Sequence, residues 1–407
     1  MNSNQKEYIK FSHAETLMPQ EEMLEISKKK SNLTIGLPKE SIQQENRICL
    51  VPKAVGLLVK NGHKVLVEND AGKAAHFSDN EYSEAGGQIV NHSEEIFKAD
   101  IILKVAPLTD NEIKLLKSKQ AIFSSLQLPS QDKNYFKKLI TKKSTAIAFE
   151  KIQDKSGTFP VIRSISEIIG ATSIFIAAEY LCNPEYGKGS MLGGFTGITP
   201  TEVVILGAGT VAENAARVAM GMGAMVKIFA NSIYKLRRLQ NNLGTRLFTS
   251  IFQPEVLLKS LKTADVVIGA VHSSEGMTPC LVSEDMVRQM KYGSVIIDVS
   301  IDQGGCVETS SPTTHKNPVF KKYDVTHYCV PNIASMVPHT ASYALSNLFA
   351  PIILKIGEAG GVENYLKSDF GLCKGVYLFN GILTNEQISE LYGIPFQNIE
   401  LLMAAFQ

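Results

Sequence analysis

The sequence predicts an α/β protein made of two doubly wound domains, each a mostly parallel sheet covered by helices on both faces. Three observations predict it. Between Leu33 and Phe149, short apolar, β-branched runs alternate with helical stretches, the signature of parallel strands buried on both sides. A second series of the same kind runs from Thr201 to Val330. At the head of that series, the strand Val203–Leu206 stops at Gly207-Ala-Gly-Thr-Val-Ala212, a G-x-G-x-x-A turn that opens a helix.

Taken in order, residues 1–32 form an extension of low apolar content, in which 19–30 places acids first and bases last, as a short helix aligned with its macrodipole would. The first domain opens at 33 and reaches about 165. Its strands are expected at 33–36, 64–68, 99–105, 121–128 and 144–149, with a helix from Val55 to Asn61 stopped by Gly62. A long helix beginning near Ser166 bridges to the second domain, 166–339. The glycine-rich 187–197 stretch is expected as a loop facing the cleft. Further strands follow at 225–229, 264–270, 293–300 and 325–330. A long apolar helix, 340–355, begins the last segment, 340–407, whose end is expected to pack as helices against the first domain.

The turn carries a specific physical reading. Gly207 permits the tight bend, Gly209 lets the backbone approach a pyrophosphate, and Ala212 keeps the helix close to its sheet. The free N–H groups around Thr210 and Val211 would meet the diphosphate charge. The second domain is therefore a Rossmann dinucleotide-binding domain. At the end of its second strand, where a carboxylate usually binds the ribose hydroxyls, stand Ala230 and Asn231, followed by Lys235, Arg237 and Arg238. Tolerance of a 2′-phosphate, weaker NAD binding and lost cofactor use all fit that change. The basic residues fit a phosphate contact or a solvated helix face equally well.

Composition narrows the field. The 407 residues carry 41 basic and 40 acidic side chains, a net charge of +1, which gives no sign of a nucleic-acid or anionic-membrane partner. Six scattered cysteines without a C-x-x-C pair suit free thiols in a reducing compartment. The polar N-terminus shows no secretory signal, and no apolar run near the C-terminus is long enough to span a bilayer. A cytoplasmic enzyme is the expectation. No histidine pair has metal-ligand spacing, so no bound metal is expected.

The densest polar cluster follows the strand at 295–299. Asp302 lies just beyond it, where lost hydration raises a carboxyl pKa toward the range useful for acid–base catalysis; an Asp capping the turn is the plainer reading. Arg47, one loop after the first strand, offers a fork suited to a substrate carboxylate, although a surface ion pair is commoner. Asn332 follows another strand end and could orient a substrate or a nicotinamide amide. Of eight histidines, His315, His327 and His339 fall near this region; any one could serve as an acid or base, although a lone histidine is more often structural or exposed.

Together, Gly36-Leu-Pro-Lys-Glu40, Glu45-Asn-Arg47, Ile101–Val105, the glycine turn, Ile297-Asp-Val-Ser-Ile-Asp-Gln-Gly-Gly-Cys306, Pro312-Thr-Thr-His315 and Tyr328-Cys-Val-Pro-Asn332 resemble the alanine dehydrogenase and nicotinamide nucleotide transhydrogenase α-subunit family, on the alanine dehydrogenase side, over about 33–395. The resemblance implies a flavodoxin-like substrate domain built from both chain ends around the Rossmann domain, usually in homohexamers. It implies reversible NAD-linked deamination of L-alanine to pyruvate and ammonia. Arg47 would bind the substrate carboxylate, Asp302 would handle the proton transfers, Asn332 would line the site, Ser166 would approach the cofactor phosphates, and Val271 would border the nicotinamide or ribose.

Three positions depart from the family pattern. Its second lysine, two residues after the one matching Lys104, is Ala106; its catalytic histidine is Gln127; its ribose-binding aspartate is Ala230. Lys104 shares a strand face with Ala106, one pleat away, and Gln127 can donate a hydrogen bond but cannot titrate. The leading expectation is an amino-acid dehydrogenase acting on a 2-oxo/2-amino acid pair with NAD, NADP remaining open. A catalytically impaired relative that binds a nucleotide or partner is the alternative, and a transhydrogenase-like nucleotide-binding subunit is a third.

Overall fold

The computed structural model describes residues 31–41, 44–273 and 276–405. The arm expected at 1–32, with its helix at 19–30, lies outside them except for Ser31 and Asn32. The described residues form two sheets. The first takes β1 (Thr34–Leu37), β2 (Lys64–Glu68), β3 (Gln88–Val90), β4 (Ile101–Leu103), β5 (Ala121–Ser124) and β6 (Thr145–Ala148). The second takes β7 (Glu202–Leu206), β8 (Met225–Phe229), β9 (Phe248–Ser250), β10 (Val266–Gly269), β11 (Val295–Asp298), β12 (Val319–Lys322) and β13 (Val325–Tyr328). The chain then returns to the first sheet with β14 (Val376–Phe379) and β15 (Ile382–Leu383).

Strand order in the first sheet is β15-β14-β6-β5-β4-β1-β2-β3, and in the second β12-β13-β11-β10-β7-β8-β9. Pairing is parallel except for β14, β15 and β12. Alternate residues of one strand enter opposite layers: Val203 and Ile205 join one core, Val204 and Leu206 the other, and all four are fully buried. Both chain ends build the first core, because Leu345, Phe349, Ile353 and Ile356 pack with Ile35, Leu37 and Ile101.

Three details differ from the sequence reading. The first sheet is doubly wound, but two strands rather than one lie beyond β1, so its order is that of dinucleotide domains rather than flavodoxin. The extra strand, β3, is three residues long and lies at the sheet edge, too short for an alternation pattern; β9 escapes for the same reason. The tail is not all helix: β14 and β15 form a hairpin that extends the first sheet. The 187–197 loop lies at the strand-start end of the second sheet, opposite the cleft. A Cβ at Gly193 would sit 2.4 Å from the Met222 carbonyl, at the far end of the helix after the glycine turn.

The bridging helix, Pro160–Cys182, begins at Pro160 rather than near Ser166 because proline suits the first helical turn. It is long and apolar enough to cross a bilayer. Here it packs on the helix Thr210–Gly221 instead, at a contact only glycine allows: a Cβ at Gly170 would lie 2.4 Å from the Val211 carbonyl. A second connecting helix, Pro338–Glu358, leads back to the first sheet.

Candidate active site

The carboxyl ends of the strands, where open α/β sheets place ligands, bring the predicted residues to two facing edges. On the second sheet, Gly207 follows β7 with φ +121°, and a Cβ there would strike the Ala270 carbonyl at 2.2 Å. Gly209 differs: its backbone is extended, and a Cβ would meet nothing within 4 Å. Glycine at 207 is thus demanded by the protein, whereas at 209 it leaves an open space before the first turn of the helix Thr210–Gly221. The open space under the amides of Thr210, Val211 and the fully buried Ala212 fits a pyrophosphate. Val271 lies beside it after β10, its N–H donating to Ser300 Oγ at 3.0 Å. Ser166 lies one turn before Gly170, on the face turned toward the same helix. Ala230 is buried at the end of β8 and Asn231 is exposed beyond it, so neither residue at this strand end is a carboxylate.

Asp302 follows β11, exposed on the cleft side. Lost hydration beneath the surrounding protein raises its carboxyl above the ordinary range, and the nearby His272 opposes that rise. It does not cap the turn. Asp298, fully buried, does: it accepts Ser300 N–H at 3.1 Å, Cys306 N–H at 3.0 Å and Ser310 Oγ at 2.7 Å, and so shapes the loop that carries Asp302. Burial pushes the Asp298 carboxyl up, partly offset by those donors.

On the first sheet, Arg47 pairs with Glu45, its neighbour but one: Nε to Oε1 at 2.8 Å and Nη2 to Oε2 at 2.7 Å. Burial alone would raise the Glu45 carboxyl, but the guanidinium outweighs it and holds the group below the usual range. Asn332, in a left-handed conformation with φ +63°, donates across the cleft to Glu45 Oε2 at 3.0 Å and, on its own side, to Ser335 Oγ at 2.8 Å. Its amide therefore joins the two domains. The whole 44–51 loop is tied down in this way: Ile48 N–H and Val51 N–H donate to Ser342 and Ser346, one turn apart on the helix Pro338–Glu358. A cavity of about 220 Å³ opens onto Arg47, lined also by Lys39, Glu40, Glu45 and Asn46. A neighbouring one of about 460 Å³ is walled by Asn46, His315, Ser335 and Met336. Asp302 borders neither.

Lys104 is enclosed. Its ammonium meets Glu112 at 2.9 Å and Glu40 at 3.7 Å, and the residue is 1% exposed. Burial pushes the Glu40 carboxyl up to about 8, against the pull of Lys104. Ala106 is buried beside it. Gln127 is exposed in a left-handed conformation with φ +46°, and among the described residues its side chain makes a single 3.3 Å contact, from its amide to Ser125 Oγ. Among the histidines, His327 is structural: it is fully buried, bonded to Thr309 Oγ1 at 2.7 Å, and held at a pKa of about 4 by burial. His339 stacks on Phe77 and bonds the Ala75 carbonyl. His315 alone keeps a buried ring nitrogen, Nε2, without a partner among the described residues. Sequence reasoning missed Glu45, Asp298 and Ser335. Glu45 stood in plain view two residues from Arg47, but neither pattern nor spacing announces a partner held from the other end of the chain.

A nucleotide cradle on one sheet and a half-buried guanidinium on the other are the parts of a two-domain, nicotinamide-dinucleotide-dependent dehydrogenase. Residues 36–169 match the family model described as alanine dehydrogenase/PNT, N-terminal domain, and 173–386 the one described as alanine dehydrogenase/PNT, C-terminal domain. The chain is 39% identical to the alanine dehydrogenase of Methanococcus maripaludis, over 90% of this chain and 99% of that one. A solved L-alanine dehydrogenase superposes with a TM-score of 0.83 at 35% identity, covering 88% of this chain and 99% of the other. A transhydrogenase from Sinorhizobium meliloti, at 20% identity and TM-score 0.74 over 87% and 99%, shares the fold. The chain belongs to the alanine dehydrogenase/PNT family.

Proposed function

We propose that this protein catalyses the reversible deamination of L-alanine to pyruvate and ammonium with NAD. The observation that carries the reading is the pairing of an open cradle at Gly209 with a positioned Arg47 on the opposing strand ends. Gly207, Gly209, Thr210, Val211 and Ala212 would hold the pyrophosphate, with Ser166 beside it and Val271 bordering the nicotinamide ribose. When bound, the cofactor accepts or returns a hydride at the substrate Cα. Arg47 anchors the substrate carboxylate. Asp302, its carboxyl raised above the ordinary range by lost hydration, accepts the proton from the attacking water and returns it to departing ammonia. Gln127 donates to the carbonyl oxygen in place of a titrating group. Residues 33–165 with 340–407 act as the substrate unit and 166–339 as the nucleotide unit. A homohexamer in the cytoplasm suits that reading, and Ala230 leaves NADP admissible.

A second reading is favoured by the enclosure of Lys104 and the neutral side chains at Ala106 and Gln127: the protein binds a nucleotide but turns over slowly or not at all. Loss of nicotinamide absorbance from NADH, and separately NADPH, with ammonium and a panel of 2-oxo acids including pyruvate decides between them. Turnover with pyruvate supports the dehydrogenase. Nucleotide-induced thermal stabilisation with no turnover on any acid supports the second reading instead.

A further inference from the structure

The Glu45 carboxylate is held by five donors drawn from both domains. Its Oε1 accepts the Arg47 backbone N–H at 3.0 Å, Arg47 Nε at 2.8 Å and Ser335 Oγ at 2.9 Å; its Oε2 accepts Arg47 Nη2 at 2.7 Å and Asn332 Nδ2 at 3.0 Å. A guanidinium offers five N–H groups in a rigid plane, so two parallel pairs can be made: a side edge from Nε and Nη2, and an end edge from Nη1 and Nη2. Glu45 takes the side edge. Nη1 has no partner among the described residues, and Arg47 lines the cavity of about 220 Å³.

We propose that Glu45 is a positioning residue: it clamps Arg47 by its side edge, through Asn332 and Ser335 of the nucleotide unit, so that the end edge is presented to a monocarboxylate ligand. The clamp spans the cleft, because Glu45 follows β1 of the first sheet while Asn332 and Ser335 follow β13 of the second. A carboxylate receptor assembled from one domain is thus completed only when the other is docked on it. The charges agree. Lys39, Arg47 and Lys73 against Glu45 and Asp70 leave the cavity wall with one net positive charge, provided that Glu40 carries its proton.

The kinetic arm rests on the dehydrogenase reading; the binding arm does not. Glu45→Gln keeps the size of the side chain but surrenders the charge and one acceptor. The KM for pyruvate is expected to rise about tenfold or more, with kcat within about threefold and the NADH Kd, read by fluorescence titration, unchanged. Ser335→Ala, which only loosens the clamp, should raise KM by about two- to fivefold. Ser342→Ala is the comparison: it loses a backbone anchor of the same loop, so it should lower the thermal midpoint without moving KM. If the wild-type protein turns over nothing, calorimetric titration of the NADH-saturated protein with pyruvate and with L-alanine replaces KM. Binding that weakens in Glu45→Gln then supports the clamp even as the dehydrogenase reading falls. An unchanged KM or affinity in Glu45→Gln overturns the proposal. So does a fall in kcat alone, or a wild type that binds neither compound. Should Glu45→Gln fail to fold, an unmoved KM or affinity in Ser335→Ala has the same force.

Discussion

At the scale of single residues, burial and partner choice separate groups that sequence could only nominate. Lys104 and Arg47 are both cations beyond a strand of the first sheet, yet one is saturated by Glu112 and Glu40 while the other keeps an unused edge. Replacing Arg47 with Lys should therefore raise KM for the 2-oxo acid by about 10- to 100-fold, because a point charge cannot reproduce two parallel hydrogen bonds. Steady-state kinetics checks this. Asp302→Asn should lower kcat by about 10²- to 10⁴-fold, the usual worth of a positioned acid–base group, with the dinucleotide Kd unchanged. Because the Asp302 carboxyl is raised and the carboxylate is the working form in deamination, kcat/KM for L-alanine should fall with acid at a pH above the ordinary carboxylate range. Glu40 yields a stability prediction. Its carboxyl titrates near 8 in the fold, against 4.5 as its ordinary value. The folded protein then holds a proton that the unfolded chain has released, and stability declines as pH climbs between those values. Glu40→Gln should flatten that decline in thermal midpoints measured between pH 5 and 9. These distinctions were not legible in the sequence: Arg47, Asp302 and Asn332 could be nominated from their strand-end positions, but which cation is spent depends on Glu112 and Glu45, whose contacts only the fold creates.

At the scale of elements, the glycine turn was readable because its spacing encodes geometry. Gly207 and Gly209 nonetheless do different work, and that separates two substitutions. Gly207→Ala places a methyl group on the Ala270 carbonyl in a backbone region alanine avoids, so it should cost about 1–3 kcal/mol of stability. Gly209→Ala has room and an ordinary φ, so the fold should lose less than about 1 kcal/mol. Its methyl group would instead occupy the pyrophosphate cradle and weaken NADH binding. Denaturant melts paired with fluorescence titration test both. Strands of four or five residues such as β7 and β8 were legible from their apolar runs. The three-residue edge strands β3 and β9 were not, since their hydrogen bonds come from the neighbouring strand rather than from any pattern of their own.

At the scale of the whole molecule, the two sheets are joined by the helices Pro160–Cys182 and Pro338–Glu358 and by the Glu45–Asn332–Ser335 contacts across the cleft. The alternation of strands and helices foretold two sheets, and family resemblance placed the C-terminal segment on the first. The hairpin of β14 and β15 was hidden because short strands beside glycines imitate loops. The central claim is that the cradle after β7 delivers a hydride to the carbon of a ligand whose carboxylate Arg47 anchors. The most direct test is a single turnover with NADH deuterated at the transferring position of the nicotinamide, pyruvate and ammonium, followed by mass spectrometry of the alanine formed. The account predicts one deuterium at Cα for each cofactor oxidised, and the same labelling about 10²- to 10⁴-fold more slowly when Asp302 is replaced by Asn. Deuterium retained in the bound cofactor of the wild-type protein, with no labelled amino acid from pyruvate or any other 2-oxo acid and the NADPH counterpart equally inert, would contradict it.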